Sequence, residues 1–373
     1  MPVRVRRTGL TEAASTLISP FPEAAPQLLS LATALPDYCI EQQFAAEFAR
    51  AKFGHRMAGY QALSRVFAST GIERRYSVEP LDWFTETHDW PERTASYIDG
   101  ATKLFEQVVL KALAAAALDA SEIDAVITVS STGIATPSLE ARVLPRLGFR
   151  PDVRRIPIFG LGCAGGVSGF ANASRIAASE PGTTVLLVTI ELCTLSFRPD
   201  RATKADIVST ALFGDGAAAA IFRCGEGPAI GWVGGATEHL WANTLDIMGW
   251  STDQAGLGVI LSRSLPEFIA RNYRAEFDLA MRRLDLAPAD IDRIVCHPGG
   301  TKVLEAIESA LELPLGTLAV ERTVMRDFGN MSSPTVLFVL ERMLAQGFTG
   351  RAVLAALGPG FTASFATLNV AGR

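Results

Sequence analysis

The stretch Leu118-Asp-Ala-Ser-Glu-Ile-Asp-Ala-Val-Ile127 has a counterpart later in the chain, Leu286-Ala-Pro-Ala-Asp-Ile-Asp-Arg-Ile-Val295, which begins 168 positions further on. Each copy follows a segment with helical periodicity and opens a short apolar strand. The same spacing places the apolar strand at 185–190 onto the one at 353–357. Two matches at one spacing indicate an internal duplication of an alternating α/β unit, against chance similarity between ordinary α/β segments.

The length of the chain agrees with two such copies. At 373 residues it exceeds the roughly 250–300 residues that a single core usually supports. We predict an arm with little pattern at 1–25, a first half at 26–225 and a second half at 226–373. No Ser/Gly/Pro-rich linker separates the halves, which favours an extensive interface between them.

Composition excludes several classes of function. The net charge is −5, hydrophobic residues make up 49 %, and no long basic run appears, so a nucleic-acid surface is not expected. No run approaches the ~20 apolar residues of a membrane span. The five cysteines and four histidines are scattered, so neither a disulfide framework nor a metal site is indicated. We therefore expect a soluble, cytoplasmic protein.

Cys163 is the strongest candidate for a catalytic residue. It lies in Gly160-Leu-Gly-Cys-Ala-Gly-Gly166, between an apolar strand at 155–159 and a helix of small residues. This position exposes a thiol to the free N–H groups and the dipole of a helix N-terminus, which favour the reactive thiolate. The alternative is an inert, buried cysteine.

Two further segments complete a candidate acyl-transfer site. His297 ends a strand and precedes Pro298-Gly-Gly300, and Asn330 lies at an expected helix start. Taken alone, His297 is typical of a structural histidine, and Asn330 is typical of a helix N-cap. Beside Cys163, the imidazole and the amide would donate hydrogen bonds to a developing oxyanion. This trio suits decarboxylative condensation, in which an enolate must be stabilised and no strong base is needed.

A dinucleotide-binding oxidoreductase is the natural rival. Gly160–Gly165 fits the pattern G-x-G-x-x-G, and Glu191 ends the next strand, where a ribose-binding acid would lie. The pattern alone is weak, however, and this function leaves His297 and Asn330 without a role.

The chain resembles the type III polyketide synthases of the chalcone synthase family, on the duplicated, layered αβαβα thiolase-type fold. The resemblance covers roughly residues 26–370. It rests on five motifs in order: Gly162-Cys-Ala-Gly-Gly166, Ala211-Leu-Phe-Gly-Asp-Gly-Ala-Ala-Ala219, His297-Pro-Gly-Gly300, Gly329-Asn-Met-Ser-Ser333 and Gly358-Pro-Gly360. Ketoacyl synthases that carry out one condensation share the Cys/His/Asn trio. Their histidine segment usually reads His-Gln-Ala-Asn, so His297-Pro-Gly-Gly favours the polyketide branch.

The resemblance implies roles for individual residues. Cys163 would carry the starter and the growing chain, while His297 and Asn330 would promote decarboxylation. Phe213 would form a gate between a CoA tunnel and the cavity, and Arg65 would contact a CoA phosphate. The remaining positions that the resemblance places at the cavity are Ser131, Thr136, Cys193, Ser196, Trp250, Val259, Ser332, Gly358, Pro359 and Gly360.

Departures from the plant members bear on the substrate. Val259 replaces a second gating phenylalanine, Trp250 replaces a glycine, and Ala62 and Ser69 replace lysines that contact CoA. Thr136 falls where a methionine enters the partner's cavity, so a homodimer is implied.

The segments around Cys163 and Val259 resemble bacterial enzymes that make alkylpyrones or alkylresorcinols from fatty acyl starters. The substrates would be an acyl-CoA starter and malonyl-CoA, with no separate cofactor. A non-catalytic acyl-binding subunit on the same fold is a further alternative.

Overall fold

The structure is a computed structural model, and it describes residues 25–57, 59–201, 203–225 and 228–371. The arm predicted at 1–25 thus lies almost wholly outside the described residues, as does the first residue of the predicted second half. The strands are β1 Gln27–Ala34, β2 Tyr38–Glu41, β3 Arg74–Ser77, β4 Ala125–Val129, β5 Arg154–Ile158, β6 Thr184–Leu192, β7 Asp215–Arg223, β8 Gly231–Leu240, β9 Met248–Asp253, β10 Gly256–Leu261, β11 Arg293–Cys296, β12 Gly350–Gly358 and β13 Thr362–Val370.

Helices alternate with these strands. They are α1 Gln42–Phe53, α2 Tyr60–Leu63, α3 Arg65–Ser69, α4 Trp90–Ala116, α5 Leu139–Val143, α6 Gly165–Ser179, α7 Lys204–Leu212, α8 Leu265–Arg283, α9 Thr301–Ala310, α10 Ala319–Phe328 and α11 Thr335–Ala345. Within the described ranges, no helix is long and apolar enough to cross a bilayer.

The main sheet repeats one strand pattern twice. Its order is β11-β12-β13-β8-β1-β7-β6-β4-β5, and the two halves meet where β1 pairs with β8 over two residue pairs. In the first half, β4 runs parallel to β6, which runs antiparallel to β7. In the second half, β11 runs parallel to β12, which runs antiparallel to β13. The predicted duplication is therefore confirmed at the level of topology.

The two copies also use the same polar device. Asp124 accepts a hydrogen bond from the backbone N–H of Thr184 at 2.8 Å, which fixes the start of β6 beside β4. Its counterpart Asp292 accepts from the N–H of Arg351 at 2.7 Å, which fixes the start of β12 beside β11. An aspartate directly before β4, and another directly before β11, thus holds the neighbouring parallel strand in register.

Five layers result from the alternation of side chains along the strands. One face of the first half packs on α4, and one face of the second half packs on α8 and α9. The other faces of both halves pack on α6 and α11, which lie between them in one shared core. Because successive residues of a strand point to opposite faces, Ile127 belongs to the shared core while Val126 faces α4. The αβαβα architecture is confirmed.

Candidate active site

A cavity of about 900 Å³, counting its open mouth, lies where strands of both halves end. Ser131 follows β4, Cys193 follows β6, His297 follows β11 and Pro359 follows β12. These are the carboxyl ends of parallel strands, where ligand sites of α/β sheets gather. The predicted residues that line this cavity are Ser131, Cys163, Cys193, Phe213, Trp250, Val259, His297, Asn330, Ser332 and Pro359.

The turn that carries Cys163 is held from two sides. The Ser131 hydroxyl accepts hydrogen bonds from the backbone N–H groups of Gly160 and Gly162, both at 3.1 Å. Gly162 has a φ of 48° and lies so close to Pro359 that an added Cβ would be 2.7 Å from the proline ring. Only glycine fits there. The turn Gly162–Ala164 then delivers the chain into α6, with Cys163 just before the helix.

Burial opposes ionisation of the Cys163 thiol. It is buried, and burial raises its pKa to about 12, although a hydrogen bond with the Ser332 side chain acts in the opposite direction. The sequence predicted a thiolate favoured by the helix N-terminus. Burial acts against this expectation, because loss of hydration disfavours the charged thiolate.

His297 lies in the cavity with no hydrogen-bond partner among the described residues at either ring nitrogen. Its backbone is fixed, since its N–H donates to the carbonyl of Ala355 at 2.8 Å. Burial lowers the pKa of the imidazole to about 3, so it is neutral at physiological pH. A neutral imidazole offers one nitrogen that accepts a proton and one N–H that donates.

Asn330 is not the N-cap of a helix, because α11 begins five residues later, at Thr335. Its Oδ1 accepts a hydrogen bond from the backbone N–H of Ser332 at 2.8 Å. Its Nδ2 donates to the carbonyl of Gly299 at 3.4 Å. Because one of its two N–H groups donates to Gly299, the amide has one N–H left for a ligand in the cavity.

Ser332 connects the amide to the thiol. Its φ of 56° is in the left-handed region, which costs a non-glycine residue about 1–3 kcal/mol. In this conformation its N–H binds Asn330 while its side chain bonds with Cys163. The strain is therefore located at the residue that joins two members of the trio.

Glu191 lies fully buried behind the cavity wall. Its Oε2 accepts from the N–H of Ser131 at 2.9 Å, and its Oε1 accepts from the hydroxyl of Ser333 at 2.9 Å. Burial raises the pKa of this carboxyl to about 7. The sequence singled out Glu191 only as a ribose-binding acid, a role that its burial and its occupied oxygens exclude.

Several predicted residues lie outside the main cavity. Ser196 lines two smaller cavities beside it. Gly358 packs against the backbone of Leu161 behind Pro359, and Gly360 accepts from the Thr244 hydroxyl. Thr136 and Arg65 are exposed and do not contribute to the cavity wall.

Trp250 and Val259 face each other directly. They form a cross-strand pair in the β9–β10 hairpin, and both line the cavity. Directly opposed side chains on one face of a hairpin have Cβ atoms only about 5 Å apart. The large residue on one strand and the small residue on the other therefore share one region of the cavity wall.

One wall of the cavity was not predicted. It consists of apolar side chains from α8 and α9, namely Leu265, Ile269, Tyr273, Val303 and Ile307. In the sequence these residues have the spacing of an ordinary amphipathic helix face, which predicts burial but not what the face is buried against.

A second cavity, of about 480 Å³, adjoins the first. Cys193 and Phe213 line both cavities and so form the partition between them. Much of its remaining wall is apolar, with Ile40, Ala45, Phe48, Leu81, Phe84 and Phe197.

A cysteine, a neutral histidine and an amide around an apolar cavity, on a duplicated thiolase-type fold, define the class of acyltransferases that form carbon–carbon bonds. The family model of the chalcone and stilbene synthase N-terminal domain matches residues 21–228, and that of the C-terminal domain matches residues 235–369. The chain belongs to the chalcone and stilbene synthase family and is an acyltransferase of the type III polyketide synthase group.

Known proteins agree with this assignment. A putative chalcone synthase of Bacillus subtilis is 36 % identical over 90 % of this chain and 96 % of its own length. A 1,3,6,8-tetrahydroxynaphthalene synthase of Streptomyces peucetius is 36 % identical over 82 % of this chain and 83 % of its own. The crystal structure of 1,3,6,8-tetrahydroxynaphthalene synthase from Streptomyces coelicolor matches with a TM-score of 0.88 and 26 % identity, over 93 % of this chain and 100 % of that chain.

Proposed function

We propose that the enzyme loads a fatty acyl group from acyl-CoA onto Cys163, extends it with malonyl-CoA units and cyclises the product to an alkylpyrone or alkylresorcinol. The observation that carries this proposal is the apolar cavity in which Cys163, an unpartnered neutral His297 and the amide of Asn330 all take part.

Acyl loading follows from the protonation states. The Cys163 sulfur attacks the thioester carbonyl as its proton passes to the free nitrogen of neutral His297. The C–S bond to CoA then breaks, and the imidazolium returns the proton to the CoA sulfur. In this proposal the nucleophile forms as the acyl donor binds, because burial disfavours the thiolate.

Chain extension uses the same donors in another way. The carboxylate of malonyl-CoA leaves as CO₂, and the electron pair moves onto the thioester oxygen as an enolate. The remaining N–H of Asn330 and the N–H of His297 stabilise this oxyanion. The enolate carbon attacks the acyl thioester carbonyl on Cys163 and the C–S bond to Cys163 breaks, which leaves the extended chain on CoA. The Cys163 sulfur leaves as a thiolate, which takes up a proton from solvent or attacks the new CoA thioester to begin the next round.

The second cavity supports a long acyl starter. It continues the main cavity behind Cys193 and Phe213, and its aromatic and aliphatic wall suits a hydrocarbon tail. Ala45 lies on this wall, on α1. A shorter starter would leave this space unfilled.

A panel of acyl-CoA starters with labelled malonyl-CoA tests the proposed function. We expect starter-dependent release of CO₂ and alkylated products by mass spectrometry, and no acyl loading by Cys163→Ala. Full product formation by Cys163→Ala would overturn the proposal. A wild-type protein that binds acyl-CoA but neither loads it nor releases CO₂ would be the non-catalytic acyl-binding subunit.

Filling the second cavity tests the position of the starter tail. Ala45→Leu places a larger side chain in that cavity, so we expect the preference to shift toward shorter acyl-CoA starters. Ala51→Leu, on the exposed side of the same helix, serves as the matched control. An unchanged chain-length profile in Ala45→Leu, with loading intact, would place the tail elsewhere.

A second candidate function is favoured by similarity. The relatives from Streptomyces are named for 1,3,6,8-tetrahydroxynaphthalene, an aromatic product that can be assembled from malonyl units alone. Incubation with malonyl-CoA as the only substrate distinguishes the two. We expect little product under this condition, whereas efficient formation of the naphthalene would replace the fatty acyl proposal.

CoA recognition and assembly complete the proposal. Exposed Arg65 on α3 is proposed to bind a CoA phosphate, so Arg65→Ala should raise the KM for both CoA thioesters without changing kcat. An unchanged KM would exclude this contact. A homodimer is proposed because, among the described residues, β5 pairs with β4 alone, and Phe159 directly after β5 is exposed.

A further inference from the structure

Arg75, on β3, is a buried arginine that lines the second cavity but not the main one. Its Nη1 donates to the carbonyl of Thr210 and, at 3.2 Å, to the carbonyl of Phe213. Its Nη2 donates to the carbonyl of Ala211 at 3.0 Å and to the side-chain oxygen of Gln42. One guanidinium therefore binds three carbonyls at the C-terminal end of α7, where the chain turns into Phe213.

The segment that Arg75 holds is bonded to the segment of Asn330. The backbone N–H of Asn330 donates to the carbonyl of Leu212 at 2.8 Å, and the N–H of Gly214 donates to the carbonyl of Asn330 at 3.0 Å. Phe213 and Asn330 thus form an isolated parallel bridge between the two halves. The position of the amide is consequently coupled to the position of the Phe213 turn.

The aliphatic part of Arg75 also packs against both sides of this bridge. A Cβ added to Gly214 would lie 3.2 Å from the Arg75 Cβ, and one added to Gly329 would lie 3.5 Å from it. Both glycines are neighbours of the bridged residues. Arg75 therefore contacts the bridge by hydrogen bonds and by packing.

Gln42 extends the network toward the histidine loop. Its Nε2 donates to the carbonyls of Phe67 and Ala211, at 3.0 and 3.1 Å, and to the hydroxyl of Thr70 at 3.0 Å. The carbonyl of Thr70 in turn accepts from the hydroxyl of Thr301 at 2.7 Å. Thr301 begins α9, directly after His297-Pro-Gly-Gly300.

We propose that Arg75 and Gln42 form a positioning clasp that sets the Asn330 amide and the Phe213 ring relative to Cys163 across the two halves. This inference rests on the proposed roles of Asn330 and Cys163. Arg75 and Gln42 are positioning residues, since both act through backbone segments and neither lines the main cavity.

The chemistry of the clasp requires arginine. A guanidinium presents five N–H donors in a fixed plane, whereas a lysine presents one nitrogen on a flexible stem. Three carbonyls and the Gln42 oxygen surround the two Nη atoms, which one ammonium cannot serve in this geometry. Asp215 is the nearby countercharge of Arg75, and it is itself held by Val78 and Thr194. Arg75→Lys therefore keeps the positive charge and removes the planar set of N–H donors.

Two separate assays on the full-length enzyme test the clasp. Acyl loading from acyl-CoA requires Cys163 and His297, whereas release of CO₂ from malonyl-CoA also requires the Asn330 amide. We expect Arg75→Lys to lower CO₂ release by about tenfold or more, since a misplaced donor loses most of its effect on the transition state. Loading is measured with acetyl-CoA, whose acyl group is too short to need the second cavity that Arg75 lines, and it should stay within about twofold. Arg198→Lys, another buried arginine that does not line the main cavity, is the matched control.

The outcomes separate the clasp from general instability and from failure of the proposed function. Equal losses of loading and CO₂ release in Arg75→Lys, or no loss of either, would overturn the clasp. If Arg75→Lys does not fold, Gln42→Met removes the partner side chain and should show a smaller loss with the same selectivity for CO₂ release. Unimpaired CO₂ release by Asn330→Ala would refute the proposed role of Asn330 itself, independently of Arg75.

Discussion

At the scale of the residue, the site is an apolar environment in which the reacting groups start neutral. Burial raises the pKa of Cys163 and lowers that of His297, so burial favours the neutral form of both groups. The side-chain amide of Asn330 is held in one orientation, because its oxygen accepts a hydrogen bond from the N–H of Ser332.

Removing the Asn330 amide should separate the two half-reactions. Asn330→Ala deletes one of the two proposed enolate donors, and loss of one oxyanion donor typically lowers kcat by about 100- to 1,000-fold. We expect malonyl-CoA decarboxylation to fall by roughly this factor, while single-turnover acyl loading of Cys163 persists. Both are measurable, as ¹⁴CO₂ release and as the mass of the intact protein. Asn272→Ala on α8 is the control, and an equal loss of loading would contradict this division of roles.

Glu191 should make stability depend on pH. Its pKa is raised by burial from 4.5 to about 7, so the native state binds more protons than the unfolded state between these values. Stability contributed by the neutral carboxyl is therefore lost as the pH rises through this window. Glu191→Gln keeps the volume and cannot ionise, so its stability relative to wild type should increase between pH 5 and 7.5 by about 3 kcal/mol at most.

Urea unfolding at these two pH values measures the effect. Asp215 and Glu321 also have pKa values raised to about 7 by burial, so both proteins still lose stability with pH and only the difference is informative. The Glu191 charge also raises the pKa of Cys163. Glu191→Gln should accordingly react faster with iodoacetamide above pH 8. A pH-independent stability difference would show that Glu191 is already neutral or solvated.

At the scale of the element, the sequence predicts what is repeated or periodic and misses what depends on packing. The duplicated strands and the turn of Cys163 are predictable because their residue patterns are local. The beginning of α4 at Trp90 is marked by a capping box of Asp89 and Glu92, which is also a local sequence signal. The cavity wall of α8 and α9, and the buried partners of Glu191, depend on distant segments and have no local signature.

The β9–β10 hairpin should control the length of the product. Because Trp250 and Val259 are directly opposed, a larger side chain at one position can be compensated by a smaller side chain at the other. We expect Trp250→Gly to allow additional extension or bulkier starters, and Val259→Phe to shorten the products. The double variant should return toward the wild-type distribution, as directly opposed residues are coupled rather than additive. Mass spectrometry of the products decides this, and strictly additive effects would mean that the two residues act on different parts of the chain.

At the scale of the whole molecule, the reacting groups come from both halves. Cys163 belongs to the first half, while His297 and Asn330 belong to the second, and the shared core of α6 and α11 holds the halves together. The cavity therefore requires both halves of the chain, since residues of each half line it. In the part of the chain that the structure describes, the outer edge of β5 has no partner strand, and we propose it as the contact with a second molecule.

The proposed dimer should depend on this edge. Unpaired strand edges with exposed apolar residues favour pairing with another chain, and Phe159, which is 57 % exposed, directly follows β5. Phe159→Glu should shift the protein from dimer to monomer in sedimentation velocity. Activity should fall at the same time, because Thr136 is proposed to enter the partner's cavity. Leu315→Glu, at an 80 % exposed leucine after α9, is the control that adds the same charge elsewhere. A wild-type protein that sediments as a monomer with full activity would refute the dimer, and a dimeric Phe159→Glu variant would place the interface on another surface.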